Sequence, residues 1–349
     1  MFDMPSHEFL QTTWFFLWGL LWAIYFMLDG FDLGMGTLLP FLGKTNEDRR
    51  VIFNAAAPFW DGNEVWLITA GGVTFAAFPL AYAVMFSALY APLLILLFAL
   101  IFRAVSFEFR NKIDHPQWRS VWDGCQFLGS FLPALLLGVA FANLFQGIPI
   151  NEQGVYLGNL LMLLNPYGLL GGLLFVLMFA THGAIWLAIK SLNPMHDRAV
   201  NAAKTLWLPL AGMAVVFLIA TAHYTPLYNN YLQHPAMMLI PIIAVVLLLA
   251  VPVLLRAEIL VGAFAASAGF ILLITLFGVL GMYPAIIPSS ISPEASITVA
   301  KAASSQLTLT IMLCVSLISV PIVIGYQSWA YYIFSHKITP EELDSDHTY

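Results

Sequence analysis

Apolar runs of about twenty residues or more follow one another from end to end of the chain, separated by short polar or turn-rich stretches. Each run is long enough to cross the roughly 30 Å hydrocarbon core of a bilayer as a helix. Continuous apolar character over such lengths selects helices rather than the alternating strands of a membrane barrel. The pattern predicts nine spans, at about 10–42, 51–78, 80–111, 122–146, 166–190, 203–223, 236–255, 259–283 and 303–335. The first, third and ninth exceed the bilayer thickness and are expected to tilt or project. The longest pieces between spans, about 147–165, 224–235 and 284–302, carry turn signals such as NPYG (165–168) and PSSISPE (288–294). None is long enough to fold a separate catalytic unit, so the fold class is an all-α polytopic membrane protein with one transmembrane domain over 1–349.

A faint internal repeat subdivides that domain. GLLWAIYFMLDG (19–30) aligns with GLLFVLMFATHG (172–183) at five of twelve positions. Both segments run in the same direction, four spans apart. This suggests two similarly oriented four-helix bundles, 10–146 and 166–283, with 303–335 as an additional ninth helix. His182 then takes the place of Asp29, each beside a glycine.

Composition agrees with the pattern: 60% of 349 residues are hydrophobic and 9% charged, where a soluble domain carries roughly a quarter charged. The sparse basic residues orient the chain. Lys44, Arg49, Arg50, Arg103, Arg110, Lys112, Arg119, Lys190, Arg198, Lys204, Arg256 and Lys337 fall at one side of the nine spans, and only Lys301 at the other. The positive-inside rule puts the N-terminus outside and the C-terminus in the cytoplasm, which requires an odd number of spans. MFDMPSHEF has no basic n-region, so no cleaved signal peptide is expected. A net charge of −6 without a basic run gives no surface for nucleic acid. Cys125 and Cys314 fall inside spans as packing residues, with neither a disulfide framework nor metal-ligand spacing around them.

Against this apolar background, Asp29, Asp32, Asp61 and Glu64 stand out. They form two i, i+3 pairs, LDGFD (28–32) and WDGNE (60–64), on either side of a polar hairpin turn, GKTNEDRR (43–50). Counting outward from that turn along antiparallel helices places Asp32 level with Asp61, and Asp29 level with Glu64. An ionised carboxylate in hydrocarbon costs several kcal/mol even on lenient scales (about 3), so acids at such depth are candidates for function. Residues three apart share a helix face, so the pairs can meet in one polar layer. Carboxyls packed that closely cannot all ionise, and such a group can hold and pass protons. Asp61, farthest from both ends of its span, is the leading candidate, with Asp29 and Asp32 nearer the cytoplasmic surface. Gly30, Gly34, Gly36 and Gly62 let backbones approach, and Trp60 and Trp66 bracket the second pair. The plain structural alternative is that the acids pair with Arg103 or with backbone. Arg103 and Glu108, in FRAVSFEFR (102–110), read as interfacial residues with a snorkelling role or an ion pair.

Of eight histidines, only His182 lies clearly inside a span, with Met178 one turn earlier. Two ligands on one helix cannot clasp both faces of a haem, and a lone buried histidine is ordinarily a hydrogen-bonded core residue. His182 is therefore a weak cofactor candidate, and no metal site is expected in the chain. The SSQLTLT stretch (304–310) reads as the cap of the last helix.

These motifs resemble subunit II of the cytochrome bd quinol oxidases of bacteria. The resemblance rests on LDGFDLGMG (28–36), PFWDGNEVWLITAGG (58–72), FRAVSFEFR (102–110), GSFLPALLLGVAFANLFQGIP (129–149) and LNPYGLLGG (164–172). PSS (288–290) and SSQLTL (304–309) extend it over nearly the whole chain. It implies nine helices as two four-helix bundles plus one, in the bacterial inner membrane. It implies a complex that oxidises quinol and reduces dioxygen to water with protons from the cytoplasm. Two haems b and one haem d are expected on subunit I, the haem-bearing partner, with none ligated by this chain. Quinone is implied as substrate, a structural quinone occurs in this subunit in some relatives, and small accessory subunits are further candidate partners. Asp61 is implied in a proton path together with Asp29 and Asp32, and Trp66 in an approach route for oxygen. From the residues alone, a proton-coupled secondary transporter using the same acids, or a scaffold, remains open.

Overall fold

The computed structural model describes residues 5–343. The helices are α1 (His7–Leu42), α2 (Asn46–Ala56), α3 (Trp60–Ala77), α4 (Pro79–Ala88), α5 (Tyr90–Phe109), α6 (Pro116–Gln146), α7 (Leu160–Leu163) and α8 (Pro166–Lys190). They continue as α9 (Met195–Tyr224), α10 (Tyr228–Gln233), α11 (Leu239–Arg256), α12 (Leu260–Met282), α13 (Val299–Ala302), α14 (Gln306–Ile333) and α15 (Pro340–Leu343). A short antiparallel pair, β1 (Ala285–Ile287) and β2 (Ile297–Thr298), folds the loop before α13. Among the described residues, eight helical segments are long and apolar enough to cross a membrane.

The second expected span is not one helix. Pro58 has no N–H to continue the ladder, so α2 ends at Ala56 and the chain turns through 57–59 before α3 starts at Trp60. The 18 residues of α3 reach about 27 Å at 1.5 Å each, which keeps nine crossings compatible with the fold. The third span is also two helices, α4 and α5, broken at Leu89 where Pro92 lacks the donor for the next turn. The stretch expected as a polar turn, 43–50, already begins α2. Thr45 accepts from the Asp48 amide, and the Asp48 side chain accepts from the Thr45 amide, a reciprocal capping box. Asn165, ahead of Pro166, caps α8, and Ser305 caps α14 through the Thr308 amide.

The core forms around α1 and α8. Between Trp14 and Leu39, α1 is buried on nearly all sides, packed on α3, α6, α8 and α12. Gly34 makes the α1–α8 approach: a Cβ there would lie 1.8 Å from the Phe179 carbonyl oxygen, and one on Gly183 would lie 2.5 Å from the Met35 nitrogen. By contrast, α14 is exposed along almost its whole length. It is attached at separate points, including Trp14 Nε1 donating to the Leu309 carbonyl (3.0 Å) and Ser304 Oγ donating to that of Ala76 (2.6 Å).

The basic residues converge at one end of the bundle. Arg49 and Arg110 share Asp123 at 2.5 and 2.6 Å, and Arg198 pairs with Asp48. The segment after α14 folds back over this end. Lys190 donates to the carbonyls of Phe334 and His336, and Arg50 to that of Leu343.

Candidate functional site

The break between α2 and α3 builds the site. Phe59 gives α3 no side-chain cap, so its first turn is served otherwise: the Gly62 amide donates to Asp61 Oδ1 at 2.7 Å. A carboxylate at a helix N-terminus also gains from the helix dipole. Asp61 therefore stands at a helix start with an exposed side chain, where an unbroken helix would have set it mid-span. Gln327 of α14 closes over the same turn, its Nε2 donating to the Gly62 carbonyl (2.8 Å) while its Oε1 accepts from Trp66 Nε1 (3.0 Å).

Inside this turn lies the polar cluster. Asp29 and Asp32 sit on one face of α1, both fully buried. Arg103 of α5 clasps Asp29 with two bonds, Nη2 to Oδ1 at 2.5 Å and Nη1 to Oδ2 at 3.0 Å, with both side chains excluded from solvent. Asn63 Nδ2 donates to Asp32 Oδ2 at 2.7 Å, and Tyr331 of α14 donates to Asn63 Oδ1 at 3.0 Å. Half-buried Glu64 lies within electrostatic reach of Arg103, Asp29 and Asp61. Asp32 Oδ1, Glu64 Oε2 and Arg103 Nε are buried without a hydrogen-bond partner. One guanidinium thus faces three carboxyls in a layer with spare donors and acceptors. Such a layer can take up and release protons by local rearrangement.

Of the two readings of Arg103, an interfacial anchor or an ion pair, the structure has the ion pair: Asp29 holds it fully inside the core. Glu108, five residues later in FRAVSFEFR, is exposed. Arg110, by contrast, is buried against Asp123. Trp66 packs beside Gln327, and the next two residues, Leu67 and Ile68, line an apolar cavity of about 610 Å³ with Phe75, Phe86, Leu97 and Phe141. Trp60 stacks on Phe107 at 5.1 Å with an interplanar angle of 4°. Gly62 has no packing constraint, since a Cβ there would meet only Gln327 Nε2 at 3.7 Å.

Both ring nitrogens of buried His182 are engaged: Nδ1 with Ser267 Oγ (3.0 Å) and Nε2 with the Met27 carbonyl (3.1 Å). Phe264 stacks on the ring at 4.3 Å. Neither nitrogen is free to ligate iron, so these residues do not fit a haem. Among the described residues, no group of three His, Cys, Asp or Glu side chains is placed to hold a metal ion.

Asn63, Gln327 and Tyr331 are site residues that depth counting passes over. Asn63 stands openly in WDGNE, and Gln327 and Tyr331 are four apart on one face of α14. That spacing is the signal that would have found them.

The fold and the buried ion cluster define a multi-span integral membrane protein whose polar chemistry is carried inside the helix bundle. The sequence model of the family "Cytochrome bd terminal oxidase subunit II" matches residues 10–334. The chain is 38% identical to the cytochrome bd-I ubiquinol oxidase subunit 2 of Escherichia coli (strain K12), over 98% of each chain. It is 34% identical to the cytochrome bd ubiquinol oxidase subunit 2 of Bacillus subtilis (strain 168), over 95% of this chain and 98% of that one. Its fold superposes on a chain of the bd oxidase from Geobacillus thermodenitrificans with a TM-score of 0.77, over 93% and 98% of the two chains, at 16% identity. The chain belongs to the cytochrome bd terminal oxidase subunit II family and is a subunit of an oxidoreductase complex of the respiratory membrane.

Proposed function

We propose that this chain is the non-haem subunit of an oxidase that oxidises quinol and reduces dioxygen to water. In this reading it packs against a haem-bearing subunit I, which holds two haems b and one haem d and performs the redox steps. The chain lies in the bacterial inner membrane with its N-terminus outside and its basic end in the cytoplasm. Its halves, 10–146 and 166–283, act as two four-helix bundles meeting along α1 and α8. Its own chemistry is proton supply: Asp61 receives protons at the exposed start of α3 and passes them through Glu64 to the layer of Asp29 and Asp32. Trp66 and the apolar cavity beside it offer oxygen, which partitions into hydrocarbon, an approach route.

The observation that carries this reading is the buried cluster itself. Three carboxyls face one guanidinium, with Asp32 and Glu64 each keeping an unpartnered oxygen, one turn of helix from exposed Asp61. A scaffold role needs only the Asp29–Arg103 pair and leaves the other acids without a purpose. The transporter alternative finds no support beyond the acids, which the oxidase reading already uses.

The test is Asp61→Asn in the assembled complex. Steady-state oxygen consumption is expected to fall strongly with the haem spectrum intact. Near-normal turnover would remove Asp61 from the route, and loss of haem d would make its role structural.

A further inference from the structure

Asp32 has two unlike oxygens. Oδ2 accepts from Asn63 Nδ2 at 2.7 Å, and Oδ1 is buried without a partner. Asn63, itself 1% exposed, is held in turn: its Nδ2 also reaches the Leu28 carbonyl at 3.3 Å, and its Oδ1 accepts from Tyr331 at 3.0 Å. The amide has a fixed sense, because the Leu28 carbonyl and the Asp32 carboxylate can only accept and so take its NH₂, which leaves its oxygen to receive the Tyr331 hydroxyl. Tyr331 is fixed by Phe59, stacked on it at 4.5 Å, and its helix by Gln327 bridging to Gly62 and Trp66. The chain of contacts therefore runs from the cytoplasmic third of α14 into the acid layer.

We propose that Asn63 and Tyr331 are positioning residues that hold Asp32 by Oδ2 and leave Oδ1 as the oxygen that takes and gives the proton. This rests on the reading of the cluster as a proton route. The other groups around Asp32 are accounted for. Asp29 on α1 is held by Arg103 of α5, Glu64 of α3 is the third acid, and His182 of α8 is tied to Ser267 and Met27. On α6, Asp123 is paired with Arg49 and Arg110. Asn63 is thus the hydrogen-bond donor to the carboxylate, and Tyr331 anchors the other end of its amide. Losing that donor favours the protonated acid, since a hydrogen bond to the charged form stabilises it.

The experiment uses the assembled oxidase carrying Asn63→Leu, Tyr331→Phe or Asp32→Asn, each with its haem spectrum recorded. Turnover is measured across pH, and the redox-induced infrared difference spectrum is read for the protonated-carboxyl stretch. Asn63→Leu is expected to move the pH limb that Asp32→Asn abolishes toward higher pH by about one unit, a tenfold change in the ionisation constant. Tyr331→Phe moves it in the same direction by less, and both shift the carboxyl band. A limb and band unchanged in both variants, while Asp32→Asn removes them, would overturn the positioning role and leave the proton route standing. An unchanged profile in Asp32→Asn would overturn both. Should Asn63→Leu fail to assemble, Tyr331→Phe, which deletes one oxygen from a partly exposed side chain, decides alone.

Discussion

Asp29 and Arg103 form a two-bonded ion pair, at 2.5 and 3.0 Å, from which solvent is wholly excluded. The residues are 74 apart in the chain and join α1 to α5 at the depth of the acid layer. Two charges removed from water are tolerable because each compensates the other through two hydrogen bonds.

Removing one partner should therefore do more harm than removing both. Arg103→Met leaves a buried carboxylate uncompensated and should cost about 3–5 kcal/mol, seen as a lowered melting midpoint or loss of assembled complex in detergent. Combining it with Asp29→Asn should recover part of that loss. A melting midpoint for Arg103→Met equal to that of the unmodified protein would show that the pair does not hold the bundle.

The α1–α8 contact is limited by backbone rather than by side chains. Gly34→Ala places a methyl group 1.8 Å from the Phe179 carbonyl and should separate the helices, at a cost of about 1–3 kcal/mol or more. Gly212→Ala on α9 meets nothing within 4 Å and should stay within about 0.5 kcal/mol. Thermal unfolding of the two variants side by side checks the contrast.

Trp66 contributes bulk on one side and a single donated hydrogen bond to Gln327 on the other. Trp66→Ala should alter the apparent oxygen affinity of the complex more than its quinol affinity. Oxygen titration of the variant and the parent would show it, and an unchanged oxygen affinity would take Trp66 out of the approach route.

At the basic end, partial burial tends to raise the Asp48 carboxyl, but the hydrogen bonds from Arg198 and Thr45 outweigh it and hold the group below the usual aspartate range. A carboxyl lowered on folding stabilises the fold at pH values above its unfolded pKa, about 3.9, and loses that contribution as pH falls through the folded value. Asp48→Asn should then destabilise by about 1 kcal/mol near pH 7, discounted for the pair's partial exposure. The difference from the parent should shrink as pH drops below about 4. Melting curves across that range test both the size and the sign.

The spans were legible because membrane helices declare themselves by composition, and the Ser305 cap by local capping chemistry, whereas NPYG read as a turn although Asn165 caps α8. Breaks inside spans were not, since an apolar window averages over a single proline such as Pro58 or Pro92. That has a consequence at the site. Depth counting assumed an unbroken helix from the hairpin, and the turn at 57–59 rotates α3 so that Asn63, not Asp61, faces Asp32. For Arg103 the sequence left an interfacial anchor and an ion pair with the acids both open, because the choice is set by Asp29 on another helix. Tyr331 and Gln327 reach the site only because α14 returns along α3, again a tertiary fact.

Proton uptake from the basic side during a single oxygen pulse, in vesicles holding the assembled complex, tests the central claim most directly. The account predicts that Asp61→Asn and Asp32→Asn each slow uptake at least about tenfold, equivalent to about 1.4 kcal/mol of barrier, while the haem spectra stay unchanged. Uptake at the parent rate in both variants would contradict a proton route through this subunit.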